Sequence, residues 1–279
     1  MRRWWVLALL GLALASYAAD EKPARKGGSR QPVQTSKCND VPARPFDLIL
    51  ARPTANSVTV SVLCYEDAEG VIAFGTQPSK LTNTTSKRAF RKGEPAEIVL
   101  SGLDADSQYF YQLRLARTNS AEFSFHTAPA PRRPFTFTVT SDSHLDEHTD
   151  PVVYQSTLAN ALADKSDFQI ELGDTFMTEK HPNREAAFKQ YFAQRYYFGQ
   201  LCHSAPFFFV LGNHDGESPR GRGNETDILR RLVEPDAEAL LPESRSRQFL
   251  HWQRHGASRC RAAGGLLCMD LGRRLVRGA

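Results

Sequence analysis

Three apolar stretches, separated by two helical patterns, dominate the second half of the chain. Residues 135–140 (FTFTVT) alternate aromatic or β-branched positions with Thr, which predicts a strand. The short apolar runs 168–172 (FQIEL) and 206–211 (PFFFVL) predict two buried strands. Apolar residues recur at helical spacing in 151–163 and in 183–197. This alternation of strands and helices favours a parallel α/β sheet.

Residues 45–129 have a different pattern, which predicts an all-β sandwich. Val58, Val60 and Val62 share one face of a strand at 57–64. Short strands at sandwich-like spacing are also predicted at 71–75, 96–100, 109–116 and 121–126. This region contains no motif with catalytic potential.

The N-terminal end differs from these two regions. Residues 1–18 combine Arg2 and Arg3 with an apolar run that is too short to span a membrane, which predicts a secretory signal cleaved after Ala18. Residues 19–44 are rich in Lys, Arg, Gly, Ser and Pro, and predict a disordered linker. We therefore expect a secreted or periplasmic protein with no membrane attachment after signal cleavage. The alternative is an uncleaved anchor, and in either case the chain is exported.

The C-terminal end, residues 236–279, forms an atypical Arg-rich tail. From Arg245 onward it contains eight Arg, no Lys and one acidic residue, Asp270. The formal net charge of +4 therefore comes from the two ends of the chain. It does not indicate nucleic acid as a partner of the folded body. We expect this tail not to adopt a native fold.

The chain has five cysteines, and export would permit disulfides. Cys38 and Cys64 form a candidate pair. Because the number of cysteines is odd, they cannot all pair within one chain. The sequence leaves the pairing of Cys38 with Cys64 open.

Metal-competent side chains follow each of the three predicted α/β strands. Asp142 and His144 come after the first strand, and Asp174 follows Gly173 at the end of the second. The third strand leads into residues 212–215, which read Gly-Asn-His-Asp. In open α/β sheets ligands bind beyond the carboxyl ends of the strands, and carboxylates and imidazoles suit divalent metals. The three strand ends therefore predict one metal site.

The set D-x-H, G-D and G-N-H-D, each after a β run, resembles the calcineurin-like metallophosphoesterases, which include the purple acid phosphatases. The resemblance implies an α/β metallophosphoesterase fold, with residues 134–235 as the N-terminal half of a four-layer αββα sandwich. The stretches GLDADSQYFYQLRL and EFSFHTAP in 45–129 resemble a fibronectin type III domain, with Tyr109 as its tyrosine corner. The resemblance thus implies an all-β fibronectin III-like sandwich preceding the α/β domain.

The resemblance also implies a dinuclear metal site. Asp142 and His144 would bind the first ion, and Asp174 would bridge both ions. Asn213 would bind the second ion through its amide oxygen. The cofactors would be two divalent or mixed-valence metal ions, of Mn, Fe, Zn or Mg. The substrate would be a small-molecule phosphate mono- or diester, attacked in line by an activated water.

Two further residues receive roles from the resemblance. His214 would donate a proton to the leaving group, and Asp215 would orient His214. The segment after His144 is also polar. Asp146, Glu147 and His148 form either an outer layer around the metals or a solvated loop, and the sequence leaves both interpretations open.

The sequence departs from the family pattern in two respects. Met177 stands where the purple acid phosphatases carry a Tyr, and those enzymes lack the His of D-x-H, so the resemblance points to a non-purple branch. The family's G-H-x-H motif, which serves both metals, is absent after Asp215. We therefore expect a truncated or frameshifted chain. The functional alternative is a non-catalytic exported binding protein in which the phosphoesterase part is a degenerate scaffold.

Overall fold

The computed structural model describes residues 37–129, 133–175, 177, 184–210 and 214–215. The signal segment 1–18, Asn213 and the Arg-rich tail lie outside these residues, so what the sequence predicts for them stays a prediction, as do the domain boundaries. The elements are β1 Phe46–Ala51, β2 Ser57–Cys64, β3 Ala68–Gly75, β4 Asn83–Thr84, β5 Arg88–Phe90, β6 Pro95–Ser101, β7 Gln108–Leu115, β8 Phe123–His126, β9 Phe137–Thr140, α1 Pro151–Ala163, β10 Phe168–Glu171, α2 Arg184–Cys202 and β11 Phe207–Phe209.

The described strands form two sheets. One has six strands in the order β6-β2-β1-β11-β10-β9, and the other has five, in the order β4-β3-β7-β8 with β5 paired to β3. In the six-stranded sheet β6, β2 and β1 are antiparallel, whereas β11, β10 and β9 are parallel, as the sequence predicts for β9 and β10. The two halves of this sheet meet where Ala51 of β1 pairs in parallel with Phe207 of β11.

The antiparallel half of the six-stranded sheet packs against the five-stranded sheet. Leu50, Val60 and Leu113 are fully buried in the core between them. Tyr109 is also buried, and its hydroxyl accepts a hydrogen bond from Asp104 N at 2.9 Å. This contact confirms the predicted tyrosine corner.

Helix α1 begins at Pro151, as its sequence predicts. The Asp150 side chain caps the helix by accepting a hydrogen bond from Val152 N at 2.8 Å. Pro151 has no N–H, but the N–H at the first helical position has no partner within a helix, so no hydrogen bond is lost. Beyond the last turn, Lys165 adopts a left-handed backbone conformation with φ 51°. Its N–H donates to Leu162 O at 3.1 Å, which satisfies one of the terminal carbonyls.

Helix α2 packs with α1 on the other face of the six-stranded sheet. Phe198 and Leu201 of α2 share one core with Ile49 of β1 and Phe207 of β11. The helix reaches Cys202, five residues beyond the predicted end at 197, because these apolar residues continue its buried face. Within the described ranges, neither helix is both long and apolar enough to cross a membrane.

The candidate disulfide between Cys38 and Cys64 is not formed in the structure. Cys38 belongs to the core under the helices and Cys64 to the core between the sheets, so they pack against different faces of the six-stranded sheet. Cys38 donates to Thr149 O at 3.3 Å. The predicted linker 19–44 therefore includes an ordered part, where Lys37–Asn39 forms a short 3-10 helix around the buried Cys38.

Candidate metal centre

The metal-competent residues lie at one edge of the parallel half-sheet. Strands β9 and β10 are paired in register, with Thr140 opposite Glu171, so both end at the same level. The loops that follow are tied together, because Asp142 N donates to Gly173 O at 3.0 Å and His144 N donates to Asp174 O at 3.1 Å. The two loops thus form one unit beyond the strand ends.

The backbone of these loops is strained. Asp142, His144, Leu145 and Asp174 have φ values of 58°, 53°, 52° and 53°, in the left-handed region that non-glycine residues seldom adopt. Gly173 precedes Asp174 with φ 91°, which costs a glycine little. Such conformations cost about 1–3 kcal/mol each and cluster at functional sites. They turn Asp142, His144 and Asp174 towards one point.

Asp142, His144 and Asp174 form the candidate metal cluster. One ligand atom from each residue lies within 4.8 Å of those of the other two. His144 Nε2 is buried, 3.7 Å from Asp142 Oδ1, and has no hydrogen-bond partner in the described part of the chain. A buried imidazole nitrogen facing two carboxylates is a donor set that suits a divalent transition metal. The residues present therefore fit the metal that the sequence predicts.

Two groups flank the His144 imidazole. The carboxylate of Asp146 is buried, with Oδ2 3.8 Å from His144 Nδ1, on the side away from Asp142. A carboxylate that accepts a hydrogen bond on this side of a metal-binding imidazole orients the ring, but the 3.8 Å distance to Asp146 exceeds that of a hydrogen bond. By contrast, the His148 side chain is exposed, with its Nε2 3.5 Å from Glu147 Oε1. The buried Asp146 therefore agrees with an outer layer around the metals, and the exposed His148 agrees with a solvated loop.

His214 lies next to the cluster. Its ring centroid is 5.7 Å from that of His144, and the ring planes are inclined by 67°. The His214 backbone N–H donates to Asp174 Oδ1 at 2.8 Å, which orients the carboxylate of Asp174. The imidazole therefore stands beside the candidate metal cluster, where a group that acts on a bound substrate is needed.

Asp215 is buried and makes contacts that the sequence did not suggest. Its carboxylate accepts hydrogen bonds from Asp174 N at 2.6 Å and from Thr175 N at 2.9 Å. The Thr175 hydroxyl donates to the same carboxylate at 3.1 Å. Asp215 thereby fixes the loop that presents Asp174. The sequence suggested only that Asp215 would orient His214.

Glu171, the last residue of β10, adds a buried carboxyl group behind the site. Burial raises the pKa of Glu171 to about 8. The hydrogen bond from the Thr140 hydroxyl opposes this rise, and the negative charges of Asp215 and Asp142 add to it. In the metal-free protein this raised pKa favours the protonated form of Glu171, which limits the negative charge beside the predicted metal ligands.

The structure thus brings together all but one of the predicted site residues. These are Asp142, His144, Asp174, His214 and Asp215. Asn213 lies outside the described residues. The sequence analysis did not identify Thr175, Gln190 or Gln194, which contact the loops of the site. The spacing of the two glutamines, four residues apart amid aromatic residues of α2, is a signal that could have pointed to them.

Comparison with known proteins identifies the domain. Residues 135–272 match the family model of the calcineurin-like phosphoesterases. The match begins two residues before β9 and includes every residue of the candidate metal centre. Residues 135–272 are therefore a calcineurin-like phosphoesterase domain. No curated protein matches the sequence.

Two solved structures share the fold. PhoD aligns at 13% identity with a TM-score of 0.53, over 72% of this chain and 47% of PhoD. A purple acid phosphatase from seeds of yellow lupin (Lupinus luteus) aligns at 17% identity with a TM-score of 0.52, over 70% of this chain and 40% of the lupin chain. The chain thus spans less than half the length of either protein. The predicted fold class, a β-sandwich followed by a metallophosphoesterase α/β fold, is confirmed.

Proposed function

We propose that this protein is an exported, metal-dependent hydrolase of small-molecule phosphate mono- or diesters. The observation that carries the proposal is the convergence of Asp142, His144 and Asp174 within 4.8 Å, inside a calcineurin-like phosphoesterase domain. Their position beyond the ends of parallel strands is where α/β enzymes bind their ligands. Export rests on the signal-like segment 1–18 and implies a secreted or periplasmic location.

The ligands would divide between two metal ions. Asp142 and His144 would hold the first ion, Asp174 would be shared between both, and Asn213 would hold the second. Bound divalent metals supply Lewis-acid activation of water and neutralise the charge of a phosphate ester. Two hydrogen bonds support this proposed role of Asp174: the His214 backbone N–H donates to its side chain, and its own backbone N–H donates to Asp215.

His214 would act on the leaving group. Its imidazole lies beside the cluster but on a separate loop from Asp142 and His144, so it can face the opposite side of a bound phosphate. The imidazolium would donate its proton to the departing alkoxide oxygen as the ester bond breaks. General acid catalysis of this kind contributes about 10²–10⁴-fold to the rate.

A second candidate, a non-catalytic exported binding protein, is favoured by one observation. No G-H-x-H follows Asp215 in the sequence, and the family uses this motif for both metals. In this case the residues described above would be the remainder of a site, and the sandwich would do the binding.

Metal analysis and a phosphatase assay separate the two candidates. The full chain, and a version whose downstream reading frame is shifted to restore the expected motif, are loaded with Mn²⁺ and tested on chromogenic phosphate mono- and diesters. We expect stoichiometric metal in both proteins and hydrolysis at least in the restored version. Bound metal with no hydrolysis in either protein would support the binding protein. A full chain without metal would contradict the proposed metal site.

A further inference from the structure

The loop that carries Asp142 and His144 is contacted by a helix that contributes no predicted metal ligand. Gln190 and Gln194 lie one turn apart on α2 and therefore on the same face of the helix. Both are almost completely buried. Hydrogen bonds compensate for the lost hydration of a buried amide, and both side chains have them, although the Gln194 amide oxygen has no partner among the described residues. Their partners are the two loops of the candidate metal centre and a buried tyrosine.

Gln190 connects the two loops directly. Its amide nitrogen donates to His144 O at 2.8 Å and to Leu145 O at 3.1 Å. Its amide oxygen accepts a hydrogen bond from Met177 N at 3.1 Å. One side chain therefore joins the segment after β9 to the segment after β10, which supply different predicted metal ligands.

Gln194 supports the first loop from the next turn of the helix. Its amide nitrogen donates to Ser143 Oγ at 3.0 Å and to Tyr154 OH at 3.2 Å. Ser143 lies between Asp142 and His144 in the sequence, and Tyr154 is buried on α1. The contact thus links the first loop to both helices.

The contacts of Gln190 fall on the strained part of the loop. His144 and Leu145 both have left-handed backbones, and Gln190 donates to the carbonyl groups of these two residues. A left-handed conformation in non-glycine residues persists only where the surroundings stabilise it. Without the amide of Gln190, the buried carbonyl of Leu145 and the partly buried carbonyl of His144 would lose a donor, and the loop could relax towards ordinary backbone angles.

Helix α2 is itself firmly attached to the sandwich half of the sheet. Arg195, the residue after Gln194, is fully buried and donates to Ser61 O at 3.1 Å and to Ser61 Oγ at 2.9 Å. Arg44, which forms an ion pair with Asp47 of β1, donates to Phe192 O of α2 at 2.9 Å. The glutamines are therefore presented from a helix whose position the sheet defines.

We propose that Gln190 is a positioning residue that holds the His144 loop in its metal-binding geometry, with Gln194 in a supporting role. The inference rests on the proposed function. Gln190 reaches no predicted metal ligand atom in its described contacts and acts through the backbone of His144 and Leu145. Residues that orient metal ligands in this way typically contribute about 10–100-fold to metal affinity.

The test compares Gln190→Met with Gln200→Met in the full chain. Met preserves the approximate size of Gln and removes its hydrogen bonds. Gln200 lies on the same helix, about 15 Å further along its axis, and its amide nitrogen has no hydrogen-bond partner among the described residues. The readouts are Mn²⁺ affinity, from electron paramagnetic resonance of free Mn²⁺, and hydrogen exchange of the Met177 and His144 amides without metal.

We expect Gln190→Met to weaken Mn²⁺ binding about 10–100-fold and to speed exchange of the Met177 amide about 10-fold, since it loses its acceptor. Gln200→Met should change neither. If Gln190→Met fails to fold, Gln194→Met should show a smaller loss of Mn²⁺ affinity. Wild-type affinity in a folded Gln190→Met protein overturns this inference alone. A wild-type chain that binds no Mn²⁺ overturns the proposed function and this inference with it.

Discussion

The two halves of the six-stranded sheet use the same kind of strand for different purposes. In β6, β2 and β1 successive strands run in opposite directions, so their ends alternate between two edges. In β11, β10 and β9 all strands run in one direction, so their ends lie at one edge. Only the parallel half therefore collects Asp142, His144 and Asp174 at one point.

Backbone strain follows the same division. Among the described residues, eight non-glycine residues have positive φ, and four of them are Asp142, His144, Leu145 and Asp174. The sandwich has positive-φ residues at scattered turns, for example Arg52 and Ser79. The comparison shows that the sandwich half is organised for burial. In the parallel half, strained backbone conformations lower the stability but direct side chains towards a site.

Removal of the Asp174 carboxylate, which we propose is shared between two metal ions, should have the largest effect. In the version with the restored reading frame, we expect Asp174→Asn to lose most bound metal and to reduce phosphoesterase activity about 1,000-fold, equivalent to about 4 kcal/mol, because a neutral amide cannot balance two cations. Metal content by atomic emission and the hydrolysis rate of a chromogenic ester measure this. The matched variant His214→Ala should keep its metal and lose about 100-fold in turnover. The opposite pattern would show that the two roles are assigned wrongly.

A core truncation in the sandwich should lower the stability of the protein without changing its metal affinity. Leu113 of β7 is fully buried between the two sheets, and Leu113→Ala should lower the free energy of unfolding by about 3 kcal/mol through the cavity it leaves. Chemical denaturation measures this loss. Mn²⁺ affinity of the folded protein should be unchanged. A parallel fall in affinity would mean that the two halves are energetically coupled.

The buried carboxyl of Glu171 should make stability depend on pH. Its pKa is raised to about 8, so between the pKa of an unfolded Glu and 8 the folded state holds a proton that the unfolded state releases. Stability should therefore fall as pH rises, by about 2 kcal/mol between about pH 6 and 7.5 in the metal-free protein. Glu171→Gln should remove this fall, as measured by urea denaturation at each pH.

An exposed carboxylate of the sandwich provides the contrasting sign. The pKa of Glu69 is lowered by its hydrogen bond and ion pair with Lys87. Any stability from this pair is present above the pKa of an unfolded Glu and is lost as the pH falls through the lowered pKa. Glu69→Gln should therefore leave the fall in stability above pH 6 unchanged. If the stability of Glu171→Gln still falls above pH 6, another titrating group causes the fall.

The smallest effect should come from relaxing a left-handed residue outside the site. Lys165 is exposed and follows α1 with φ 51°, where glycine is the preferred residue. Lys165→Gly should raise the free energy of unfolding by about 0.5 kcal/mol, because glycine adopts a positive φ without strain. Leu145→Gly relieves a similar φ of 52° but removes a fully buried side chain, so it should be destabilising. A stabilised Leu145→Gly would show that strain outweighs packing at the site.

Much of the fold and site could be predicted from local pattern. Helix α1 has the bounds expected from its periodicity, and β2 those expected from its alternating Val residues. Strand β1 was not predicted, because FDLILA has no clean alternation: it is packed on both faces, by the five-stranded sheet and by α2. The short strands β4 and β5 were also not predicted, since two or three residues carry too little pattern.

The sequence by itself determined the order of the elements and the chemistry of the strand ends. Periodicity and residue type are local properties, and D-x-H, G-D and H-D can be read without coordinates. Only the tertiary structure decided that β1 and β11 join the two halves of one sheet, that Asp215 supports the backbone of Asp174, and that Gln190 spans both loops. These contacts connect residues 40 or more positions apart, except the short span from Gln190 to Met177, and depend on where packing places each element.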